Sequence, residues 1–247
     1  MEPIVFIHGI FQMLGSLPAA EAFAPRQALC PDMPGYGAQA GVPVERIFLE
    51  AQADYLAAQI HSWGHTKAHI AGHPVGGAVA MLLARRHPDI VASVLNVEGN
   101  FTIEDAFWTG KLAAMSLSEV TALLQSYQDD VSGWLTRAGI EPSPRRIAIA
   151  GRGLNAQPAT TIKAMAQSVI ETTSQPSYLN DVHAVLDCGI PLHLIAGERS
   201  RGGWHVPQSV LSRAASMTIQ PQVGHIMMIE APEEFLGLIA NLVSQPA

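Results

Sequence analysis

Short apolar runs alternate along the chain with longer segments of helical periodicity, and the alternation begins close to the first residue. Residues 4–7 are apolar throughout, which is typical of a strand that helices cover on both faces. Within residues 44–63 the apolar positions recur at spacings that share one face of a helix. This pattern predicts parallel βαβ units in an α/β protein.

The same pattern divides the chain into a core and an insertion. Strands are predicted at residues 4–7, 27–30, 67–71, 92–97, 191–197 and 217–220. Core helices are predicted at residues 44–63, 75–87 and 232–243. Between them, segments of helical periodicity without strands take over, including residues 118–138 and 160–172. We therefore predict a core formed by residues 1–99 and 186–247, and a helical cap formed by residues 100–185.

Composition narrows the class of partner. The chain has 247 residues, 48% apolar and 14% charged, with a formal charge of −7, which disfavours nucleic acid and anionic membranes as partners. No apolar run approaches the roughly 18 residues of a membrane span, and Cys30 and Cys188 are not in a C-x-x-C spacing. We expect a cytoplasmic protein that binds a small-molecule substrate. The sequence leaves its oligomeric state open.

Four local patterns, in order, support a family resemblance. They lie at residues 6–9 after the first strand, at residues 32–37 after the second, at residues 72–77, and at residues 223–225 followed by residues 230–233. Together they resemble the α/β-hydrolase superfamily, in its esterase and dehalogenase-like branches, over nearly the whole chain. The resemblance implies a mainly parallel sheet of about six strands, with helices on both faces and a helical cap insertion.

The turn at residues 72–77 departs from the family at its reactive position. The family pattern is G-x-S-x-G, in which a strained serine lies between a strand and a helix; here Pro74 takes the place of that serine. Proline has no nucleophile, so the acyl-enzyme route is closed at this position. Its φ is fixed near about −65°, whereas the strained residue needs a positive φ, so we expect a relaxed turn.

The resemblance also implies roles for other residues. His225, between the last strand and the last helix, takes the position of the family's general base. Two carboxylates compete to orient it: Glu98, which follows the fourth strand as in the dehalogenase-like branch, and Glu198, which is two residues early for the G-x-x-D pattern. Glu98 is the preferred partner; the alternative structural interpretation is that it only caps its loop.

Backbone amides are expected to stabilise a developing oxyanion. By resemblance these are the amides of Ile10 or Phe11, after the first strand, and of Val75, after the turn. Side chains that could line the pocket are those of His8, His73, Asn100 and Trp108. No group of residues has metal-ligand spacing, and no loop has the phosphate-binding pattern. We therefore expect neither a metal nor another cofactor.

Three functions fit these residues. The first is a serine esterase or thioesterase type of hydrolase inactivated at Pro74. The second is a working enzyme in which His225 and Glu98 act as an acid–base pair without covalent catalysis, in direct hydrolysis, lyase or cyclase steps, or cofactor-free oxygenation. The third is a non-catalytic protein that binds a small molecule or a protein partner through the old pocket. The second is favoured, because a binding protein would need neither the histidine nor its carboxylate.

Overall fold

A single parallel sheet organises the molecule. The structure is a computed structural model that describes residues 1–12, 14–17 and 19–244. Its six strands pair in the order β2-β1-β3-β4-β5-β6, and every pairing is parallel. The strands are β1 (Ile4–Ile7), β2 (Ala28–Leu29), β3 (Ala68–Gly72), β4 (Val91–Val97), β5 (Leu192–Gly197) and β6 (Ser216–Gln220). The predicted α/β fold and number of strands are confirmed.

Helices pack on the sheet and fill the segment between β4 and β5. Among the described residues they are α1 (Ala19–Phe23), α2 (Leu49–Ser62), α3 (Val75–Arg86), α4 (Phe107–Ala114), α5 (Leu117–Asp129), α6 (Val131–Arg137), α7 (Pro144–Asn155), α8 (Ala159–Thr173), α9 (Pro176–Asp187), α10 (Gln208–Leu211), α11 (Met227–Glu230) and α12 (Pro232–Ser244). None of these helices has the length and apolar character needed to cross a bilayer.

Two helix predictions differ from the structure for local reasons. The helix predicted at residues 44–63 begins only at Leu49, because Phe48 is extended, with φ −150° and ψ 162°. The helix predicted at residues 118–138 is two helices, α5 and α6. They separate at Asp130, whose carboxylate accepts a hydrogen bond from the Gly133 N–H and so caps α6. Helical periodicity continues across this break, so apolar spacing alone does not reveal it.

The helices between β4 and β5 do not all belong to one layer. Helix α5 contacts α6, α7 and α8, whereas α9 packs mainly against α3. Arg85 of α3 forms an ion pair with Asp181 of α9 at 2.9 Å. Thus α9 lies within the predicted cap range but packs against α3, a helix of the predicted core. The boundaries of core and cap stay predictions.

Glycine lets α3 approach the sheet closely at its first turn. A Cβ atom added to Gly76 would lie 2.3 Å from the backbone oxygen of Ile7, the last residue of β1. Backbone atoms cannot yield as a flexible side chain can. The helix that follows the turn is therefore fixed against β1 at a distance that only glycine permits.

We expect Gly76→Ala to lower the free energy of unfolding by about 1–3 kcal/mol, because the methyl group overlaps the backbone of β1. The matched control is Gly110→Ala in α4, where the nearest atom to an added Cβ lies 3.7 Å away. That control should be neutral or stabilising by up to about 1 kcal/mol, since alanine is the better helix former. Urea denaturation measures both. Equal stability of the two variants would contradict the proposed close packing.

Candidate active site

A pocket of about 640 Å³ opens at the carboxyl ends of the strands, between the sheet and helices α4 to α6. In open α/β sheets this edge is where ligands bind. The walls include loop residues after β1, β3, β4 and β5 and aromatic side chains from the insertion. The lining residues include Ile10, Phe11, Gln12, Pro74, Val75, Glu98, Asn100, Trp108, Tyr127, Trp134, Arg137, Ser200, Trp204 and His225.

His225 and Glu98 meet at this pocket. The Nδ1 atom of His225 lies 2.5 Å from Oε2 of Glu98. The Glu98 side chain is 3% exposed and that of His225 is 45% exposed, so the carboxylate is sealed and the imidazole faces the opening. With Nδ1–H donating to the carboxylate, the lone pair of Nε2 is free to accept a proton.

The Glu98 carboxylate is fully engaged by neighbouring donors. Its Oε1 atom accepts the Gly197 N–H at 2.8 Å and the Ser200 hydroxyl at 2.6 Å. Burial by itself raises the pKa of Glu98, but the hydrogen bonds from His225, Ser200 and Gly197 and the charge of His225 outweigh it and lower the pKa. Glu98 has a positive φ of 44°, which is uncommon outside glycine.

Pro74 adopts the relaxed conformation expected of it. Its φ is −70° and its ψ is −41°, which is helical, and it directly precedes α3. Its pyrrolidine ring packs on Gly9, where an added Cβ would lie 2.3 Å from Pro74 Cδ. The chain therefore enters α3 without the strained turn that carries a serine in the G-x-S-x-G pattern.

The predicted oxyanion amides differ in availability. The Phe11 N–H donates to Oε1 of Gln157 at 3.0 Å, so it is already occupied. The amides of Ile10 and Val75 have no acceptor among the described residues. Val75 is the first residue of α3, where an N–H points outward from the helix and attracts negative charge. Ile10 and Val75 thus remain the candidate donors.

Two histidines expected as possible pocket residues, His8 and His73, are not among the residues that line this pocket. His8 is buried, its ring packs edge-on against Tyr36 with centroids 4.5 Å apart, and it lines a separate small cavity near Gln52. His73 is buried behind the turn, with its ring nitrogens bonded to Gln12 and to the His225 backbone oxygen. Each histidine directly follows a strand, and its ring is buried outside the pocket lining.

The other predicted residues divide between pocket and surface. Asn100 and Trp108 line the pocket, and the Trp108 side chain is partly exposed at its edge. Glu198 does not contact His225; its carboxylate accepts the Gln222 N–H at 2.7 Å, in the loop that precedes His225. The alternative acid therefore supports that loop, and Glu98 is the carboxylate in contact with the imidazole.

Several site residues escaped the sequence interpretation. Ser200 stands where the family's G-x-x-D pattern places an acid, and a hydroxyl at that position was a usable signal for a donor to Glu98. Arg199 forms a two-bond ion pair with Glu230, both at 2.9 Å, and Glu230 also accepts the Gly224 N–H. These contacts hold the His225 loop.

The cap residues Tyr127, Trp134 and Arg137 line the pocket as well. No sequence signal predicted them, because their convergence depends on tertiary packing.

The titratable residues of the site form no metal centre. Among residues 1–12, 14–17 and 19–244, no three His, Cys, Asp or Glu side chains converge as metal ligands. The site offers instead an imidazole with a free Nε2, a buried carboxylate behind it, and two backbone donors, Ile10 and Val75, that have no acceptor in the part of the chain that the structure describes. Such a set can transfer a proton and stabilise a developing negative charge.

Comparisons with known proteins identify the family of the chain. Residues 4–238 match the profile described as "Alpha/beta hydrolase family". The chain is 24% identical over 242 residues to the dihydrolipoyllysine-residue acetyltransferase component of the acetoin cleaving system of Pseudomonas putida, covering 94% of this chain and 60% of that protein. It is 39% identical over 101 residues to a pimeloyl-(acyl-carrier protein) methyl ester esterase of Neisseria meningitidis serogroup A, covering 38% of this chain and 29% of that one. The chain thus spans less than two thirds of the length of either relative.

A solved structure extends the comparison to the whole fold. A crystal structure from a study of carboxylesterases of Nitrososphaera gargenis superposes with a TM-score of 0.76 at 13% identity. The match covers 98% of this chain and 90% of that one. At this level of identity the likeness concerns the fold alone.

The Glu98 contacts give a testable stability effect. We expect Glu98→Gln to lower the free energy of unfolding by about 1–3 kcal/mol at pH 7, because an amide group cannot accept all the hydrogen bonds that the carboxylate accepts. The folded pKa of Glu98 is depressed below its ordinary value of 4.5. Its stabilising effect is therefore complete above pH 4.5 and is lost as the pH falls through the lower folded pKa, so the difference between wild type and variant should shrink there.

Urea denaturation between pH 3 and pH 7 measures this difference. Glu198→Gln is the matched control, since Glu198 is an exposed neighbour that accepts a single backbone hydrogen bond. It should change the free energy of unfolding much less. A Glu98→Gln protein as stable as wild type at pH 7 would show that the buried contacts contribute nothing net.

Proposed function

Because the chain belongs to the alpha/beta hydrolase family, we propose that it is an enzyme in which His225, oriented by Glu98, is the general base for a small carbonyl-containing substrate. The observation that carries the proposal is the 2.5 Å contact of His225 Nδ1 with Glu98 at the wall of the pocket. Pro74 offers no nucleophile, so the base acts on water or on the substrate directly.

In the hydrolytic form of the reaction, Nε2 of His225 accepts a proton from water while the water oxygen bonds to the carbonyl carbon. The carbonyl π electrons move to its oxygen, where the amides of Ile10 and Val75 would donate hydrogen bonds. The bond to the leaving group then breaks, and the imidazolium returns its proton to that group. Glu98 stabilises the imidazolium and keeps the proton on Nδ1 beforehand.

The same groups support proton abstraction from carbon. Nε2 would take a proton from the carbon next to the carbonyl, and the resulting enolate oxygen would occupy the position of the oxyanion. Both forms use one base and one set of donors, so the substrate decides between them. The aromatic walls of the pocket favour a substrate with an apolar body.

A second candidate is a serine esterase that has been disabled at residue 74. It is supported by the methyl ester esterase named among the relatives and by the glycines that frame the turn. In this case the pair of His225 and Glu98 would be a remnant of the serine mechanism. The third possibility, a binding protein, predicts that His225 is dispensable.

We expect His225→Ala to reduce kcat by about 10²–10⁴-fold, the usual contribution of a positioned general base. Wild-type protein would be incubated in D₂O with a panel of esters, lactones, thioesters and diketones, and product formation and deuterium uptake would be followed by NMR. His183→Ala is the matched control, because His183 is a half-exposed histidine on α9 that does not line the pocket. Turnover by wild type that survives in His225→Ala would refute the proposed role.

We expect Pro74→Ser to leave the wild-type reaction in place, since the proposed mechanism does not use the side chain of residue 74. Pro74→Ala controls for loss of the ring. The disabled-esterase alternative predicts instead that wild type is inactive and that only Pro74→Ser hydrolyses p-nitrophenyl esters, with release of p-nitrophenol as the measurement. That second outcome would replace our proposal.

A further inference from the structure

His73 is a buried histidine to which the proposed chemistry gives no task. It directly precedes Pro74, its residue surface is 1% exposed, and it lies behind the pocket wall. Both of its ring nitrogens nevertheless have partners in the loops that build the site. An apolar residue would fill the same space without requiring two hydrogen bonds, so the polar ring needs an explanation.

The first partner of His73 is the loop that carries the proposed base. Its Nε2 atom lies 2.8 Å from the backbone oxygen of His225, 152 residues away in the chain. The two imidazole rings are adjacent, with centroids 4.5 Å apart and an angle of 44° between their planes. The backbone of His225 is therefore held from inside the core while its side chain faces the pocket.

The second partner is the loop after β1. His73 Nδ1 contacts the side-chain amide of Gln12 at 2.9 Å, and Gln12 follows the predicted oxyanion residues Ile10 and Phe11. One ring thus bridges the loop that supplies backbone donors and the loop that supplies the base. A displacement of either loop would be transmitted to the other through His73.

The environment of His73 selects one protonation state. Burial, and next the neighbouring His225, lower its pKa well below the ordinary value, so the ring is neutral. A neutral ring that donates from Nε2 to a carbonyl must accept at Nδ1. In the structure Oε1 of Gln12 faces His73 Nδ1. A half turn of the Gln12 amide, which exchanges its oxygen and nitrogen, places the required N–H against Nδ1. Neutrality also avoids a second positive charge beside the imidazolium that forms at His225.

We propose that His73 is a positioning residue that holds the backbone carbonyl of His225 and thereby keeps the imidazole of His225 on Glu98. This inference rests on the proposed function of His225. On the other side, Arg199 and Glu230 hold the same loop through the Gly224 N–H. Glu198 also holds the loop, through the Gln222 N–H. The His73 contact differs from these because it is made with the backbone of residue 225 itself.

Two variants separate the two hydrogen bonds of His73. In His73→Gln the terminal amide nitrogen can occupy the place of Nε2 and still donate to the His225 carbonyl, whereas the Nδ1 contact is lost. In His73→Asn the shorter amide can reach Gln12 but not the carbonyl. Each variant therefore loses one buried hydrogen bond, and we expect similar decreases in Tm.

We expect kcat of His73→Asn to fall by up to about 10²-fold with little change in KM, because a small displacement of the base slows proton transfer. His73→Gln should retain most of kcat. His69→Asn is the control, since His69 is a half-buried histidine on β3 that bonds to Ser93 outside the pocket. It should leave kcat unchanged. Equal kcat losses in His73→Asn and His73→Gln would overturn the proposal, because a merely structural role would affect both alike.

A second measurement needs no substrate. Long-range proton–nitrogen NMR spectra of histidine-labelled protein report which ring nitrogen carries the proton. We expect Nδ1–H for His225 in wild type and in His73→Gln, and a mixture of tautomers in His73→Asn. An unchanged His225 tautomer in His73→Asn would overturn the positioning role even if the enzyme is active. If no substrate is turned over, the proposed function fails, while this spectrum still decides the role of His73.

The unmodified protein provides a check that does not depend on the folding of any variant. A scalar coupling across the hydrogen bond between His73 Nε2 and the carbonyl carbon of His225 is expected in labelled wild-type protein. Its absence would show that the contact is not a hydrogen bond, and the proposal would fall.

Discussion

The buried carboxylate of Glu98 constrains this end of the molecule more than any other group. A carboxylate removed from water must have its oxygens satisfied by donors, since an unpaired buried charge is strongly unfavourable. Here the donors come from the end of β5, from the turn after it and from the loop after β6, through Gly197, Ser200 and His225. The hydrogen bonds to this one carboxylate therefore join the ends of β4, β5 and β6. These three strand ends form part of the floor of the pocket.

Pro74 is compatible with this arrangement because its helical conformation places no strained residue at the turn. A proline is well tolerated at the start of a helix, where its missing N–H would have no partner. Its carbonyl remains useful, since it accepts the N–H groups of Gly77 and Asn100 and so ties α3 to the loop after β4. The Pro74 side chain carries no hydroxyl, but its backbone carbonyl still joins two elements of the pocket floor.

The sequence predicted the parts of the molecule that local chemistry determines. Apolar runs gave the strands, and the conformation of Pro74 followed from its fixed φ. The adjacency of Glu98 and His225 was predictable because both follow strands whose carboxyl ends lie at one edge of the sheet. The directions of the His8 and His73 side chains were not predictable, because they depend on the backbone conformation of the loop that follows each strand. The occupation of the Phe11 amide by Gln157 was equally hidden, because those residues are 146 positions apart.

The asymmetry of the histidine–carboxylate pair argues for a chemical role over a structural one. Replacing a buried ion pair with apolar residues is often neutral or stabilising, so stability alone is a weak reason to keep one. In this pair the carboxylate is sealed, whereas 45% of the imidazole side chain is exposed, on the side that faces the pocket. A pair that served only the fold would gain from burying both partners and excluding water. Leaving Nε2 open reduces any stabilisation but gives the site a base that a substrate can reach, and this favours catalysis.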